Sequence, residues 1–237
     1  MLPSAALCKQ VLRNQSRNVS FSTSSTAKRV ETTVDSKGIA RVCLSRPDKL
    51  NALDLPMFEA IADEASKLRL DRSLRVVILS GKGRAFCTGL DVKTIMKNNP
   101  KKTVQRLLER PSGYGRKSLG NLAQDVGYLW RDLPVPVIVV LHGMCFGGAM
   151  QIALGADFRF ATPDCRLSIM ESRWGLIPDM SASVTLRELV RIDVAKELTM
   201  TGRVLNGSEA ASLGLVTRCV DDPMAEAEKL ALEIVER

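Results

Sequence analysis

The sequence predicts an α/β protein built on a mostly parallel β-sheet. Short apolar runs rich in β-branched residues recur along the chain. Segments with helical apolar spacing separate them, and no internal repeat of fixed period interrupts the alternation. Strands alternating with helices point to βαβ units. The 237 residues are 45% hydrophobic, which suits one domain, or two at most, with an ample core.

Ile39–Leu44 and residues 75–80 read as buried strands. Between them Leu55, Phe58, Ile61, Ala62, Ala65 and Leu68 mark one face of a helix, with Asp54 as N-cap and Pro56 in its first turn. Residues 96–117 are polar and basic, contain Pro and Gly, and are expected to form a loop or insert. Val137–Leu141 is a further strand, leading through Gly143 to Gly147-Gly148 and a helix over 149–156. Residues 157–161 continue as strand; 185–190 and 194–201 are helical. Ser208 is expected to cap a short helix with Glu209 in its first turn, before a strand over 215–220 and a final helix from Pro223.

Five of the eight net positive charges lie in residues 1–30, on Lys9, Arg13, Arg17, Lys28 and Arg29, with no acid and eight Ser or Thr. That composition is expected of an organelle transit peptide, cut between Val19 and Lys28, which sends a body of residues 28–237 to the mitochondrial matrix. The remaining +3 does not call for nucleic acid, and the basic stretch from Lys97 to Arg106 reads as a solvated face. No run approaches the roughly 20 apolar residues of a membrane span.

Cys8, Cys43, Cys87, Cys145, Cys165 and Cys219 show no Cys-x-x-Cys spacing and read as small core residues. His142 is the single histidine, so a metal site with several His ligands is excluded. It sits at a strand–turn junction, where a structural hydrogen bond is expected. No Gly-x-Gly-x-x-Gly or Walker lysine follows a strand, which argues against nicotinamide and ATP chemistry.

Two glycine-bearing segments remain, Gly81–Asp91 and Gly143–Gln151, each directly after a strand. Small residues let a substrate approach the backbone, and free N–H groups at a helix start carry partial positive charge. Two such groups aimed at one point stabilise an oxyanion; a Gly-Gly turn after a strand, taken alone, is more often plain turn chemistry. The carboxylate candidates are Glu171 and Asp179, within 168–180. An acid among apolar neighbours can serve as base or acid, while a solvated or capping role is the alternative. Trp174 and Met180 flank them as acyl-pocket or core residues.

Four ordered motifs carry a resemblance: Arg46-Pro-Asp-Lys-Leu-Asn51-Ala-Leu, Arg84-Ala-Phe86-Cys-Thr-Gly89-Leu90-Asp91, Gly143-x-x-x-Gly147-Gly148, and Glu171-x-x-x-Gly175-x-x-Pro178. Over about residues 30–237 the chain resembles the crotonase superfamily, the enoyl-CoA hydratase/isomerase family. The resemblance implies a ClpP/crotonase-like spiral of ββα repeats, assembly as trimers or hexamers, acyl-CoA thioester substrates, and no metal or redox cofactor. It assigns the oxyanion hole to the N–H groups of Leu90 and Gly148. It assigns contacts with the CoA thioester to Lys49, Leu50, Ala52 and Arg84, and to Gly89, Asp91 and Gly147 of the two turns. Cationic Lys49 and Arg84 suit an anionic ligand.

Family hydratases hold water between two glutamates. One matches Glu171; the other position is Gln151, whose amide can hydrogen-bond water but cannot accept its proton. Asp179, eight residues beyond Glu171, resembles an acid of the dienoyl-CoA isomerases. Double-bond isomerisation of an enoyl- or dienoyl-CoA in fatty-acid catabolism is therefore expected over hydration. A hydratase using Glu171 alone and a non-catalytic acyl-CoA binder are the alternatives. Family members usually continue into further covering helices, so a short C-terminal helical part is also expected.

Overall fold

The computed structural model describes residues 28–97, 99–110 and 120–237. The expected transit segment, residues 1–27, lies outside them. A six-stranded sheet runs in the order β1 (Val30–Val34), β2 (Ile39–Leu44), β3 (Val76–Gly81), β4 (Val137–Leu141), β6 (Phe158–Ala161) and β8 (Arg218–Cys219). Only the β1–β2 pair is antiparallel. A second, two-stranded parallel sheet pairs β5 (Met144–Phe146) with β7 (Arg166–Ser168). From β2 onward each pass of the chain adds the next neighbour to the main sheet, so the fold winds forward as a spiral of strand–strand–helix turns.

The main sheet is buried on both faces, which explains its near-continuous apolar strands. Val77, Leu79, Val139 and Leu141 face the larger core, with α1 (Leu55–Leu68), α4 (Leu122–Tyr128) and α5 (Gly148–Leu154). Val76, Ile78, Ile138, Val140 and Phe160 face the other way and pack on Ala227 and Ala231 of α9 (Pro223–Val235). Asp54 caps α1 by accepting from the Met57 N–H at 3.0 Å, and Pro56 sits in its first turn.

Residues 96–117 do not form the expected loop throughout. The described part of that stretch ends α2 (Val92–Lys97) and holds α3 (Pro100–Leu108), with Asn99 capping α3 through a bond from the Lys102 N–H. Thr103 and Leu107 are buried, while Lys97, Lys101 and Lys102 are exposed. After α5 come α6 (Ala182–Leu189), α7 (Ile192–Thr201) and α8 (Gly207–Ser212). The α8 cap is Asn206, which accepts from the Glu209 N–H at 2.8 Å; Ser208 already lies inside the helix. The strand expected over 215–220 shrinks to β8: the Leu215 and Val216 N–H groups donate to the Ala210 carbonyl of α8, and the Arg159 side chain takes the Leu215 carbonyl.

Candidate active site

β3 and β4 are parallel neighbours, so the segments that follow them leave the sheet side by side. Ligand sites in α/β sheets form at such carboxyl ends. Backbone bonds then stitch the two segments together. Phe86 N donates to His142 O at 3.0 Å, Cys87 N to Met144 O at 3.1 Å, and Phe146 N to Cys87 O at 3.3 Å. The His142 Nε2 lies 2.9 Å from the Gly83 carbonyl, a structural bond between the same segments. Gly89 has φ 80°, and a β-carbon there would meet Phe146 O at 2.5 Å and Gly148 N at 3.4 Å. Gly147 (φ 54°, ψ −120°) turns the chain into α5. Among the described residues neither the Leu90 nor the Gly148 N–H has an acceptor, although their neighbours Gly89, Asp91 and Gly147 all donate. Two free donors thus stand on touching turns.

The Arg46–Leu53 segment supports the first turn. Asn51, fully buried with φ 56°, accepts from Arg46 N at 2.8 Å and offers its amide to the Lys82, Ala85 and Phe86 carbonyls at 3.0 Å each. Arg46, 8% exposed, donates to the Ala52 carbonyl at 2.9 Å and pairs with Asp91 at 2.7 Å. Asp91 also accepts from the Thr94 N–H and hydroxyl. The Cys87 thiol donates to Asn51 O at 3.0 Å; burial pushes its pKa up to about 12, so it stays neutral. The first motif contains Arg46 and Asn51 but gave neither a role, and their bonds set the turn that carries Leu90.

A cavity of about 390 Å³ opens against both turns. Gly89, Leu90, Gly147, Gly148, Gln151, Glu171 and Asp179 all line it. Lys49, Leu50, Ala52, Arg84 and Asp91 do not. Lys49 and Arg84 are exposed, Leu50 holds a left-handed φ of 50°, and Ala52 and Asp91 face Arg46. Phe58, Val104, Leu107 and Leu108 form an apolar wall the motifs did not reveal. Its signal was the 104/107/108 spacing on α3. Met180 is buried, and its sulfur lies 2.8 Å from where a β-carbon on Gly148 would sit; Trp174 stands 64% exposed at the mouth.

Glu171 begins a short 3₁₀ turn, Glu171–Trp174, and is 8% exposed. The Gln151 amide donates to its Oε1 at 2.6 Å, and its Oε2 has no partner among the described residues. The Gln151 carbonyl oxygen accepts from the Ala182 N–H at 3.3 Å. Burial is the main cause that raises the Glu171 pKa, with a further push from Asp179; the Gln151 bond partly offsets it. A carboxyl group so placed is suited to take and return a proton.

The sequence model of the family described as enoyl-CoA hydratase/isomerase matches residues 39–236. The chain belongs to the enoyl-CoA hydratase/isomerase family. It is 31% identical to human enoyl-CoA hydratase domain-containing protein 2, mitochondrial, over 84% of this chain and 66% of that protein. It is 29% identical to the peroxisomal Delta(3,5)-Delta(2,4)-dienoyl-CoA isomerase of Arabidopsis thaliana, over 76% of this chain and 64% of that one. The chain thus spans about two thirds of the length of these two relatives. Among solved structures, an enoyl-CoA hydratase from Thermoplasma volcanium superposes with a TM-score of 0.75 at 31% identity, covering 89% of this chain and 79% of its own. The fold is the crotonase fold of this family. Among the described residues there is no group of side chains suited to a metal ion, and no helix long and apolar enough to cross a membrane.

Proposed function

We propose that this chain binds an acyl-CoA thioester and isomerises a double bond in its acyl group through an enolate. The observation that carries the reading is one buried carboxylate with a free oxygen, on the same cavity as two free backbone N–H groups. The thioester oxygen would accept from Leu90 and Gly148. Glu171 would take the proton from the carbon next to the carbonyl: the C–H bond breaks, an O–H bond forms on Oε2, and the electron pair moves to the thioester oxygen. Two oriented donors lower the cost of that charge. Return of the proton at a more distant carbon, by Glu171 directly or after Glu171 has passed it to Asp179, completes a reaction in which no atoms are gained or lost. No metal or redox cofactor is needed.

The mostly apolar wall supports an acyl chain without charged substituents, and the exposed Lys49 and Arg84 supply cations for the CoA phosphates. The name of the plant relative supports isomerisation, and that of the archaeal structure keeps hydration through Glu171 as the second reading. The basic N-terminus and the mitochondrial human relative support the mitochondrial matrix as the location. The fold supports assembly as trimers or hexamers.

The test is to incubate the protein with 2-enoyl-, 3-enoyl- and 3,5-dienoyl-CoAs and follow mass and absorbance. A shifted chromophore at unchanged mass is expected. A mass gain of one water establishes hydration instead, and binding without turnover establishes the non-catalytic binder.

A further inference from the structure

The Gln151 side chain, 1% exposed, is held at both ends. A backbone N–H can only donate, so the Ala182 N–H fixes which end of the amide is its oxygen. The –NH2 end is then committed to Glu171 Oε1, 2.6 Å away, whatever the protonation of that carboxyl. Oε1 lies 3.4 Å from the β-carbon position of Gly147, beside the second turn, and Oε2 is left without a partner.

We propose that Gln151 is a positioning residue: a clamp between the start of α6 and Glu171 that reserves Oε2 as the proton-carrying oxygen and puts no base at position 151 to activate a water. The amide has no basic lone pair, and its oxygen is already engaged. A water held between residues 151 and 171 would have to share Glu171 with the substrate. The clamp therefore favours proton relay over addition of water. This inference rests on Glu171 as the base of the proposed reaction.

The groups around Glu171 allow a test through pH. From α5 it meets only the Gln151 amide, which favours the ionised form. Asp179 on its own segment opposes ionisation and is exposed. Arg173 of the same turn, and Lys196 and Glu197 of the adjacent α7, are exposed.

The experiment measures kcat and KM against pH with a 3-enoyl-CoA for the wild type, Gln151→Leu, Gln151→Glu and Glu171→Gln. Gln151→Leu removes both bonds. Its kcat is expected to fall about 10²-fold, the scale set by a misplaced reacting group. Its acidic limb should move to higher pH, because the bond that favours the carboxylate is gone. A purely structural loss would lower the active fraction without moving that midpoint. Gln151→Glu keeps the size and decides the matter if the leucine variant does not fold. Two carboxyl oxygens this close share a proton, and only the singly protonated pair reproduces the clamp. Its profile should become bell-shaped, with an alkaline limb the wild type lacks. Wild-type kcat and an unmoved sigmoidal profile in the folded Gln151 variants, with Glu171→Gln inactive, would overturn the clamp and leave the reaction standing. An active Glu171→Gln would overturn both.

Discussion

Gly89 lies against the backbone nitrogen of Gly148, so close that a β-carbon on it would stand 3.4 Å from that nitrogen and 2.5 Å from the Phe146 carbonyl oxygen. The free N–H groups of Leu90 and Gly148 are therefore adjusted together. Gly89→Ala should push the turns apart and strain a φ of 80°. We expect kcat to fall about 10²–10³-fold, as when one oxyanion donor is removed. Stability should drop by about 1–3 kcal/mol. Steady-state kinetics beside urea unfolding separate the two effects. Wild-type kcat in the folded variant would mean the donors are not set by this contact.

The Arg46–Asp91 pair should behave as a buried structural bond rather than a substrate contact. Removing one partner of a buried pair costs about 3–5 kcal/mol. Asp91→Ala should fall at the low end, since Arg46 retains Asp54 at 3.5 Å and the Ala52 carbonyl. Thermal unfolding checks this, with affinity for free CoA changed much less than stability.

Glu171 links stability to pH in a direction that can be stated in advance. Burial raises its pKa above the unfolded value. A carboxyl group shifted this way contributes its stability below the unfolded pKa and loses it as pH rises through the folded one. At neutral pH the buried charge therefore weighs against folding. Glu171→Gln should melt at a higher temperature than the wild type near pH 7, and the difference should close in acid. Equal melting temperatures at both pH values would contradict the burial described.

Much of this was legible because single residues signal local structure strongly. Asp54 and Pro56 announce α1, and the β-branched runs of β2, β3 and β4 announce a sheet buried on both faces. The two touching turns were legible because glycine at 89 and 147 answers a backbone demand few other residues meet. The helices α2 and α3 were not, since their basic residues and Pro100 resemble loop composition. Pro100 in fact occupies a first turn, behind the cap of Asn99. β5 and β7 are three residues each, too short for an alternation to register, and hold by pairing with one another. The Gln151 clamp needed three dimensions, because Ala182 and Glu171 approach it from distant parts of the chain.

The α3 wall should set acyl chain length. Leu108 lines the cavity and is 52% exposed, so its replacement costs little stability. Leu108→Ala should raise KM for a long-chain acyl-CoA about fourfold to tenfold, given ~0.8 kcal/mol for each methylene left unburied, and leave a four-carbon substrate unaffected. A uniform change across chain lengths would place the acyl chain elsewhere.

The most direct measurement of the central claim is conversion of a 3-enoyl-CoA by the wild type and by Glu171→Gln, followed by absorbance and mass together. The wild type should form the conjugated 2-enoyl thioester at unchanged mass, and Glu171→Gln, folded and still binding CoA, should form none. Conversion at the wild-type rate by Glu171→Gln would contradict the assignment of this carboxylate as the base.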